Sequence, residues 1–333
     1  MEVESIIIGS GQAGLSVGRY LKESGRPFVI LEKEERIGES WRNRYDSLVL
    51  DSFAKYTRLE DFPFPGDPMH HPRKDEVIEY LKSFAKNCDI NPEFSTEVFK
   101  VRKEGKGFLI ETNRGIYKSK FVVVATGAFH LSYIPEAAKN IPANIFQIHS
   151  RDYKNPSSLP PGPVLVVGGG NSGAEIAEEL AASGREVLFS FRGKLKSVRS
   201  TRLSQWLAYR LGLAHVPRHT WLGKLTIWYT KGKSVGVDVK ALLKNPNLIS
   251  VGEFQGQISK DISVIIWATG YESDFSIVAI PDFDPSTQKR GVTNVPGLYV
   301  LNIRWQYSKS SSHLAGVSRD AKYIARDIIS KCD

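Results

Sequence analysis

The chain has 333 residues, of which 41% are hydrophobic and 24% charged, a composition typical of a globular protein of two or three domains. Its basic residues, net charge +9, are scattered with one denser run at 192–202, and we expect no nucleic-acid partner. No window approaches the roughly 18 unbroken apolar residues of a membrane span. With only Cys88 and Cys332, a disulfide framework, a cysteine-rich zinc site and a dithiol redox pair are excluded.

The N-terminal segment predicts a dinucleotide-binding unit. After the apolar run SIII, Gly9, Gly11 and Gly14 follow the order G-x-G-x-x-G, and residues 13–23 have helical character. In such a turn the first glycine allows the bend, the second admits a pyrophosphate and the third lets helix pack on strand. The next strand ends in Glu32, an acid placed to accept hydrogen bonds from a ribose diol.

A second unit of the same kind begins in the middle of the chain. The strand VLVV is followed by Gly168, Gly170 and Gly173 and by a helical run. The next strand ends without an acid and offers Ser190 and Arg192. A guanidinium binds a 2′-phosphate that a carboxylate would repel, so we expect FAD in the first unit and NADPH in the second.

Two further apolar runs end alike and indicate how the chain passes between the units. VVVATG places Thr126 and Gly127, and IIWATG places Thr269 and Gly270, after a strand. Parallel strands end at a ligand crevice, where a small residue and a glycine allow close backbone passage. We therefore expect an α/β fold with two Rossmann-like dinucleotide-binding domains, the NADPH domain inserted into the FAD domain.

The domain bounds follow from these strands. We predict residues 1–155 and 275–333 for the FAD domain and 160–272 for the NADPH domain, joined by the proline-rich linker at 155–163. The C-terminal residues 313–330 read as an amphipathic helix, with the serines just before it as a source of its N-cap.

Two weaker patterns concern other ligands. Residues 202–214 are amphipathic and rich in aromatic and basic side chains. They are compatible with a membrane-surface helix, but we favour a helix over the substrate entrance or on a partner subunit.

His70 and His71 would point to opposite faces of an extended segment, and a proline separates His215 from His219. We expect no metal site.

Together these motifs resemble the flavin-containing monooxygenase family in its short bacterial form. The resemblance covers nearly all of the chain and rests on GSGQAG, EKEERIGESWR, DFPFP, VVVATGAF, VVGGGNSGAE, WATGY and GVSRDAKYIA. Related groups are the Baeyer–Villiger monooxygenases and the plant enzymes that act on indole pyruvate.

The resemblance implies a role for each matching residue. Trp41 and Arg42 match a motif written Gly-Gly-x-Trp-Arg beside the FAD, with Glu39 in place of the second glycine. The N-terminus of the C-terminal helix would point at the flavin ring and stabilise negative charge on it. The expected cofactor-binding residues are Gly9, Gly11, Gly14, Glu32, Trp41, Arg42, Thr126, Gly127, Gly168, Gly170, Gly173, Ser190, Arg192, Thr269, Gly270, Ser312, His313 and Leu314.

The sequence departs from the family at two places. The hallmark Phe-x-Gly-x-x-x-His-x-x-x-Phe/Tyr keeps His149 and Tyr153 but has Ala143 and Ile145 at its first two fixed positions. From the residues alone, His149 is favoured as a hydrogen-bonding linker residue. Asp51 stands where many members have an Asn beside the reactive face of the flavin. It is our candidate catalytic residue, or else it only caps the turn into SFAKY.

The resemblance implies a monooxygenase that uses FAD, NADPH and O2, through a flavin C4a-(hydro)peroxide, to oxygenate a small soft nucleophile (a thioether or amine) or a ketone. Two alternatives stay open. One is an NADPH oxidase or reductase that releases H2O2 or passes electrons to a quinone or a protein, and the other is an NADPH-sensing regulatory flavoprotein. Without a signal segment before the first strand, we expect a cytoplasmic location, and a homodimer is compatible with the sequence. The sequence leaves open the substrate, the strictness for NADPH and the coupling to H2O2 release.

Overall fold

The computed structural model describes residues 1–129, 131–197, 201–230, 234–258 and 261–332. The strands are β1 Glu2–Ile8, β2 Phe28–Leu31, β3 Val98–Glu104, β4 Gly107–Thr112, β5 Gly115–Val124, β6 Leu131–Ser132, β7 Phe146–His149, β8 Val164–Val167, β9 Val187–Ser190, β10 Lys196–Ser197, β11 Ser234–Val235, β12 Leu248–Val251, β13 Val264–Trp267, β14 Tyr271–Glu272 and β15 Leu298–Val300. The helices are α1 Gln12–Glu23, α2 Glu39–Arg42, α3 Lys74–Asn87, α4 Asn171–Ala182, α5 Arg202–Arg210, α6 Trp221–Thr230, α7 Val239–Leu242 and α8 Leu314–Ser330.

The first sheet has the strand order β2-β1-β5-β4-β3, with β15 also paired to β5. Strands β1, β2 and β15 run parallel to their neighbours, whereas β3 and β4 pair antiparallel with each other, and β4 with the first half of β5. The continuous run of buried β-branched residues in β1 and β5 is typical of strands covered on both faces. The ends of β1 and β5 therefore lie side by side at one edge.

The second sheet has the order β12-β9-β8-β13-β7, and all its pairs are parallel. Its central strands β8 and β13 are buried throughout. Two short pairs lie outside the sheets, β6 with β14 and β10 with β11.

The part of the chain that forms the second sheet is inserted between β5 and β15 of the first sheet, as predicted from the sequence. The chain leaves the first sheet after β5, completes the second sheet with β13, and returns to pair β15 with β5. One strand corrects the predicted bounds: β7, at Phe146–His149, pairs with β13. It thus belongs to the second sheet although it lies before residue 155, because strand pairing unites segments that are distant in sequence.

Helices α1 and α8 cover one face of the first sheet. Side chains such as Leu15, Leu21, Ile324 and Ile328 are fully buried in one cluster, and each contributes roughly 1.5–3 kcal/mol relative to exposure. This packing fixes the N-termini of both helices at the same end of the sheet. In the described part of the chain, no helix combines the length and apolar character needed to cross a membrane.

Candidate cofactor cleft

The first glycine turn has the shape that a dinucleotide requires. Gly9 has a φ of +105°, and a Cβ there would lie 2.8 Å from the carbonyl oxygen of Ala125. A Cβ at Gly14 would overlap the carbonyl oxygen of Gly9, whereas a Cβ at Gly11 would meet no atom within 4 Å. Gly11 is also the N-cap of α1, without a side-chain cap. The turn thus leaves open space in front of free N–H groups, which fits a pyrophosphate.

The second glycine turn repeats this geometry position by position. Gly168 has a φ of +123° and lies against the Ala268 carbonyl, and a Cβ at Gly173 would overlap the Gly168 carbonyl oxygen. Gly170 caps α4 and, like its counterpart in the first turn, has no atom within 4 Å of an added Cβ. Two turns in one chain therefore fit a nucleotide pyrophosphate each.

Glu32 lies directly beside the first turn. One carboxylate oxygen accepts hydrogen bonds from the backbone N–H and hydroxyl of Ser10, at 2.7 and 2.8 Å, and the other accepts from the N–H of Glu34 at 3.0 Å. These bonds orient the carboxylate at the end of β2, where a ribose bound at the turn would lie.

The corresponding strand of the second unit ends in a different set of residues. Arg192 is 84% exposed and pairs with Glu253 at 2.7 Å. Ser190 is buried, and its hydroxyl donates to the Gly252 carbonyl at 2.8 Å. The hydroxyl is therefore engaged within the protein, while the guanidinium lies at the surface beside Glu253. Sequence reasoning did not include Glu253, because β12 becomes the neighbour of β9 only in the folded sheet.

The two Ala-Thr-Gly segments follow β5 and β13, as predicted. Gly127 has a φ of +94°, and its hypothetical Cβ would lie 3.7 Å from the Asn302 amide nitrogen. The side-chain oxygen of Asn302 is buried without a hydrogen-bond partner among the described residues. In the second unit, the Thr269 hydroxyl donates to the Tyr133 carbonyl. An orphaned polar atom at the carboxyl edge of a parallel sheet is a group that a bound ligand would satisfy.

Gly270 anchors the hallmark histidine. The Nε2 of His149 lies 3.1 Å from the Gly270 carbonyl, and its Nδ1 accepts from the N–H of Arg151. Burial lowers the pKa of His149, although the bond to Gly270 opposes this. The hydrogen-bonding role expected for His149 is confirmed.

The N-terminus of α8 reaches the same edge of the first sheet. Gln12, at the start of α1, donates from its amide to the Ser312 carbonyl at 3.2 Å. The helix begins at Leu314 and its N-cap is His313, without a side-chain cap. The predicted serine N-cap is wrong, because the Ser311 hydroxyl instead accepts from backbone N–H groups in the preceding turn. The first N–H groups of α8 therefore suit an electron-rich ligand.

The Trp-Arg motif lies in the short helix α2. Arg42 donates to the Ile37 carbonyl at 2.7 Å and has a carboxylate oxygen of Glu39 at 3.6 Å. Trp41 packs on the core of the first unit. Glu39, which replaces a glycine of the family motif, also pairs with Arg36 at 2.6 Å. The substitution thus adds ion pairs to the loop without removing the motif.

Asp51 lies where the two units meet. Its Oδ2 accepts from the Asn171 amide, the first residue of α4, at 2.7 Å. Its Oδ1 abuts Gly236, where any Cβ would overlap it. Gln205 of α5 donates to its backbone carbonyl at 2.8 Å and accepts from the N–H of Phe53. Asp51 therefore joins the first unit to three segments of the second.

Several titratable groups surround Asp51. Burial raises the pKa of Asp51, opposed by Asn171 and by the charges of His71 and Lys309. Burial lowers the pKa of Lys309, and Asp51 opposes that shift. His215, whose Nδ1 lies 2.8 Å from the Ser310 hydroxyl, has a pKa lowered to about 4 by burial. The cleft thus holds a carboxyl, an amine and a neutral imidazole.

His313 belongs to the same group. It keeps an accessible surface on the cleft, yet protein atoms surround it. This burial, with the charges of Lys309 and Arg304, lowers its pKa to about 4. Near neutral pH the imidazole is uncharged and can accept or donate a hydrogen bond.

One face of α4 accepts hydrogen bonds from, or donates them to, three residues that lie outside the helix. The bonds come at every fourth residue, which places them along a single stripe of the helix. The pairs are Asp51–Asn171, Tyr45–Glu175 and Tyr153–Glu179. We call these three pairs the α4 clasp. Burial raises the pKa of Glu175 to about 7, so the middle pair has an acid that titrates near neutral pH.

Two sheet units, each with parallel strands leading into a phosphate-binding turn and in contact at Asp51 and Asn171, are typical of an oxidoreductase that brings two dinucleotides together. A sequence model described as pyridine nucleotide-disulphide oxidoreductase matches residues 6–301. The chain belongs to this family. The predictions of an enzyme and of FAD and NADPH as its cofactors are thereby confirmed at the level of the family.

Known proteins agree with this assignment. The chain is 38% identical to an uncharacterised CzcO-like oxidoreductase of Geobacillus kaustophilus, over 98% of both chains. It is 29% identical to the probable indole-3-pyruvate monooxygenase YUCCA3 of Arabidopsis thaliana, over 98% of this chain and 86% of that one. A flavin-containing monooxygenase from Stenotrophomonas maltophilia has the same fold, with a TM-score of 0.80, 23% identity and coverage of 100% and 99%. The resemblance to flavin-containing monooxygenases is confirmed.

The disulphide in the family's name has no counterpart in a cysteine pair of this chain. Cys88 and Cys332 are both free and partly buried, and each packs at the edge of the core formed by α1, α3 and α8. Burial raises the pKa of both thiols, which disfavours the reactive thiolate.

Proposed function

We propose that the protein is an FAD-dependent monooxygenase that uses NADPH and O2 to oxygenate a small soft nucleophile, such as a thioether or amine, or a ketone. The observation that carries the proposal is the meeting of the two units at Asp51. The first unit's loop binds the first residue of α4, and the two glycine turns would thereby serve one cleft. Cofactors held at both turns would have their reactive ends in that cleft.

The residues of the chain would bind and orient the two cofactors. The backbone N–H groups at Gly11 and Gly170 would hold the two pyrophosphates, Glu32 the ribose of FAD, and Arg192 the 2′-phosphate of NADPH. The N-terminus of α8 would face the flavin ring. When bound, FAD accepts the hydride of NADPH and supplies the reaction with O2.

Around the reacting centre, the protein would position protons and exclude water. Asp51 is held by Asn171 and faces Lys309, and His313 presents a neutral imidazole to the cleft. Together with α5, whose Gln205 binds the backbone of Asp51, these groups would shield the site from solvent, which oxygen transfer requires if H2O2 release is to be limited. No cysteine pair or carboxylate pair is needed for this chemistry.

Asp51 also favours a second candidate, an NADPH oxidase or reductase. Unlike the Asn of many family members, an ionised Asp cannot donate a hydrogen bond. The bond from Asn171 favours the ionised form, whereas burial favours the neutral one. If the ionised form faces the flavin, we expect more H2O2 and less oxygen transfer.

The deciding experiment measures NADPH oxidation, H2O2 and product together. The purified protein is incubated with NADPH and 18O2 in the presence of a thioether, an amine or a ketone. We expect one compound to accelerate NADPH oxidation and to gain one 18O atom. Its control is the same compound with NADPH but without O2.

Three other outcomes would redirect the proposal. H2O2 equal to the NADPH consumed, whatever compound is added, would identify an oxidase. Faster NADPH oxidation with a quinone, without oxygen incorporation, would identify a reductase. NADPH-dependent binding of a protein partner without turnover would favour a regulatory flavoprotein. The cytoplasmic location and the homodimer stay predictions.

A further inference from the structure

The net positive charge of this protein comes from one segment of the chain. We call residues 193–237 the basic segment. It contains nine of the 45 Lys and Arg residues and none of the 36 Asp and Glu residues. Its formal charge therefore equals the +9 of the whole chain, and the remainder is electrically balanced. Such a separation of charge is not needed for binding the cofactors, whose turns lie elsewhere.

The same segment exposes large apolar side chains. Helix α5 has no buried residue. The most exposed apolar residues are Trp221 at 73%, Leu203 at 65%, Leu211 at 64%, Leu225 at 50% and Trp206 at 49%. The described basic side chains are exposed beside them, namely Lys194, Lys196, Arg202, Arg210, Arg218 and Lys224. Residues 199, 231 and 233 lie outside the described residues.

The other face of the basic segment is docked on the protein. Gln205 binds the backbone of Asp51, Tyr209 lies 4.7 Å from Tyr56 between ring centroids, and His215 binds Ser310. Gln205, Tyr209 and His215 are thus turned inward, whereas the exposed leucines and tryptophans are turned outward. An outward apolar face of this kind marks an interaction site.

We propose that the basic segment docks the protein on an anionic lipid surface. Exposed Trp and Leu enter the boundary between headgroups and acyl chains, while Arg and Lys pair with anionic headgroups. A second copy of the chain suits this surface poorly, because a two-fold dimer would bring two acid-free segments of +9 together. The segment also contacts Asp51 and Ser310 through Gln205 and His215, so docking would bring the candidate site near the lipid. This inference does not depend on the proposed reaction.

Vesicle sedimentation with the full chain tests the proposal. Vesicles of phosphatidylcholine are compared with vesicles containing about 25% phosphatidylglycerol. We expect binding to the anionic vesicles, release by added salt, and quenching of tryptophan fluorescence by lipids brominated in the acyl chain. Salt release and quenching need no variant, so they test the idea even where a substitution harms folding.

Three variants separate charge from apolar insertion. Neutralising Arg202, Arg210 and Lys224 to Gln should lower the partition coefficient about a hundredfold, since each cation near such a surface contributes about 1 kcal/mol. Changing Leu203, Leu211 and Trp221 to Ser should reduce both binding and the quenching, with Trp206 left as an exposed tryptophan. The matched control neutralises three exposed lysines elsewhere, Lys82, Lys86 and Lys106, and should leave binding close to wild type. Circular dichroism confirms that each variant is folded.

Specific outcomes overturn the proposal. The first is equal binding to neutral and anionic vesicles. The second is a loss of vesicle binding in the lysine control variant as large as in the Arg202, Arg210 and Lys224 variant. The third is vesicle binding without quenching of tryptophan fluorescence by the brominated lipid. A dimer in solution that the Leu203, Leu211 and Trp221 variant converts to a monomer would assign the surface to a second copy instead.

Discussion

Among single residues, Arg192 is the side chain that we expect to select NADPH over NADH. Replacing it by Gln removes the guanidinium that would bind the 2′-phosphate, and we expect KM for NADPH to rise on the order of tenfold with NADH unaffected. Steady-state kinetics with both coenzymes measures this. The matched variant Glu253→Gln removes the carboxylate that pairs with Arg192, and it should lower KM for NADPH. An equal change for both coenzymes in Arg192→Gln would contradict the assignment.

Asp51 is the residue that we expect to determine how much of the NADPH oxidation leads to oxygen transfer and how much to H2O2 release. The substitution Asp51→Asn keeps the shape and an acceptor for Asn171 but adds an amide donor to the cleft. We expect less H2O2 per NADPH oxidised, measured by peroxide titration during turnover. Asp46→Asn is the control. Its carboxylate lies 2.8 Å from the Nζ of Lys74 and pairs with that amine rather than with a group of the cleft. An unchanged peroxide yield in Asp51→Asn would show that this carboxylate does not face the reacting centre.

At the scale of elements, the duplicated turns permit a paired test. Gly11→Ala and Gly170→Ala both place a methyl group in open space at ordinary backbone angles. The apo fold should survive, while the methyl group hinders the pyrophosphate. We expect Gly11→Ala to lose FAD during purification, and Gly170→Ala to retain FAD with a raised KM for NADPH. Flavin absorbance and steady-state kinetics distinguish the two.

The third glycine of each turn provides the contrast. A Cβ at Gly14 or Gly173 overlaps a backbone oxygen, so helix and strand must separate. We expect Gly14→Ala to lower the free energy of unfolding by several kcal/mol. A Gly14→Ala protein as stable as Gly11→Ala would contradict the packing role. Denaturant unfolding of the apo proteins measures the difference.

These turns were predictable from sequence because the strand, three glycines and helix are contiguous. The order of these residues along the chain is enough to determine the geometry of the turn. The acid or arginine that follows lies at the end of the next strand. The cleft was not predictable in the same way. Asn171, Lys309 and Asn302 reach it from different segments, and strand β7 joins a sheet whose other strands come after it. Ser190 was expected beside NADPH, but its hydroxyl turns inward to Gly252, a neighbour that only sheet pairing creates.

At the scale of the whole molecule, we expect the α4 clasp to make the contact between the two units depend on pH. Glu175 is partly buried at this contact, and its pKa of about 7 lies above its ordinary value of 4.5. A raised carboxyl pKa means that the folded protein holds a proton which the unfolded chain has released. Its contribution to stability is therefore complete below about pH 4.5 and is lost as pH rises through about 7.

Glu175→Gln should remove this loss. The amide keeps an acceptor for the Tyr45 hydroxyl without a buried charge, so we expect the midpoint of thermal unfolding to rise at about pH 8 by up to several degrees and to change little at about pH 5. Thermal unfolding at both pH values measures the effect. Glu186→Gln, at an exposed position directly before β9, is the control for the lost formal charge and should show no such pH dependence. An equal shift of the midpoint at both pH values in Glu175→Gln would mean that Glu175 does not titrate in the contact, and that the clasp joins the two units through geometry alone.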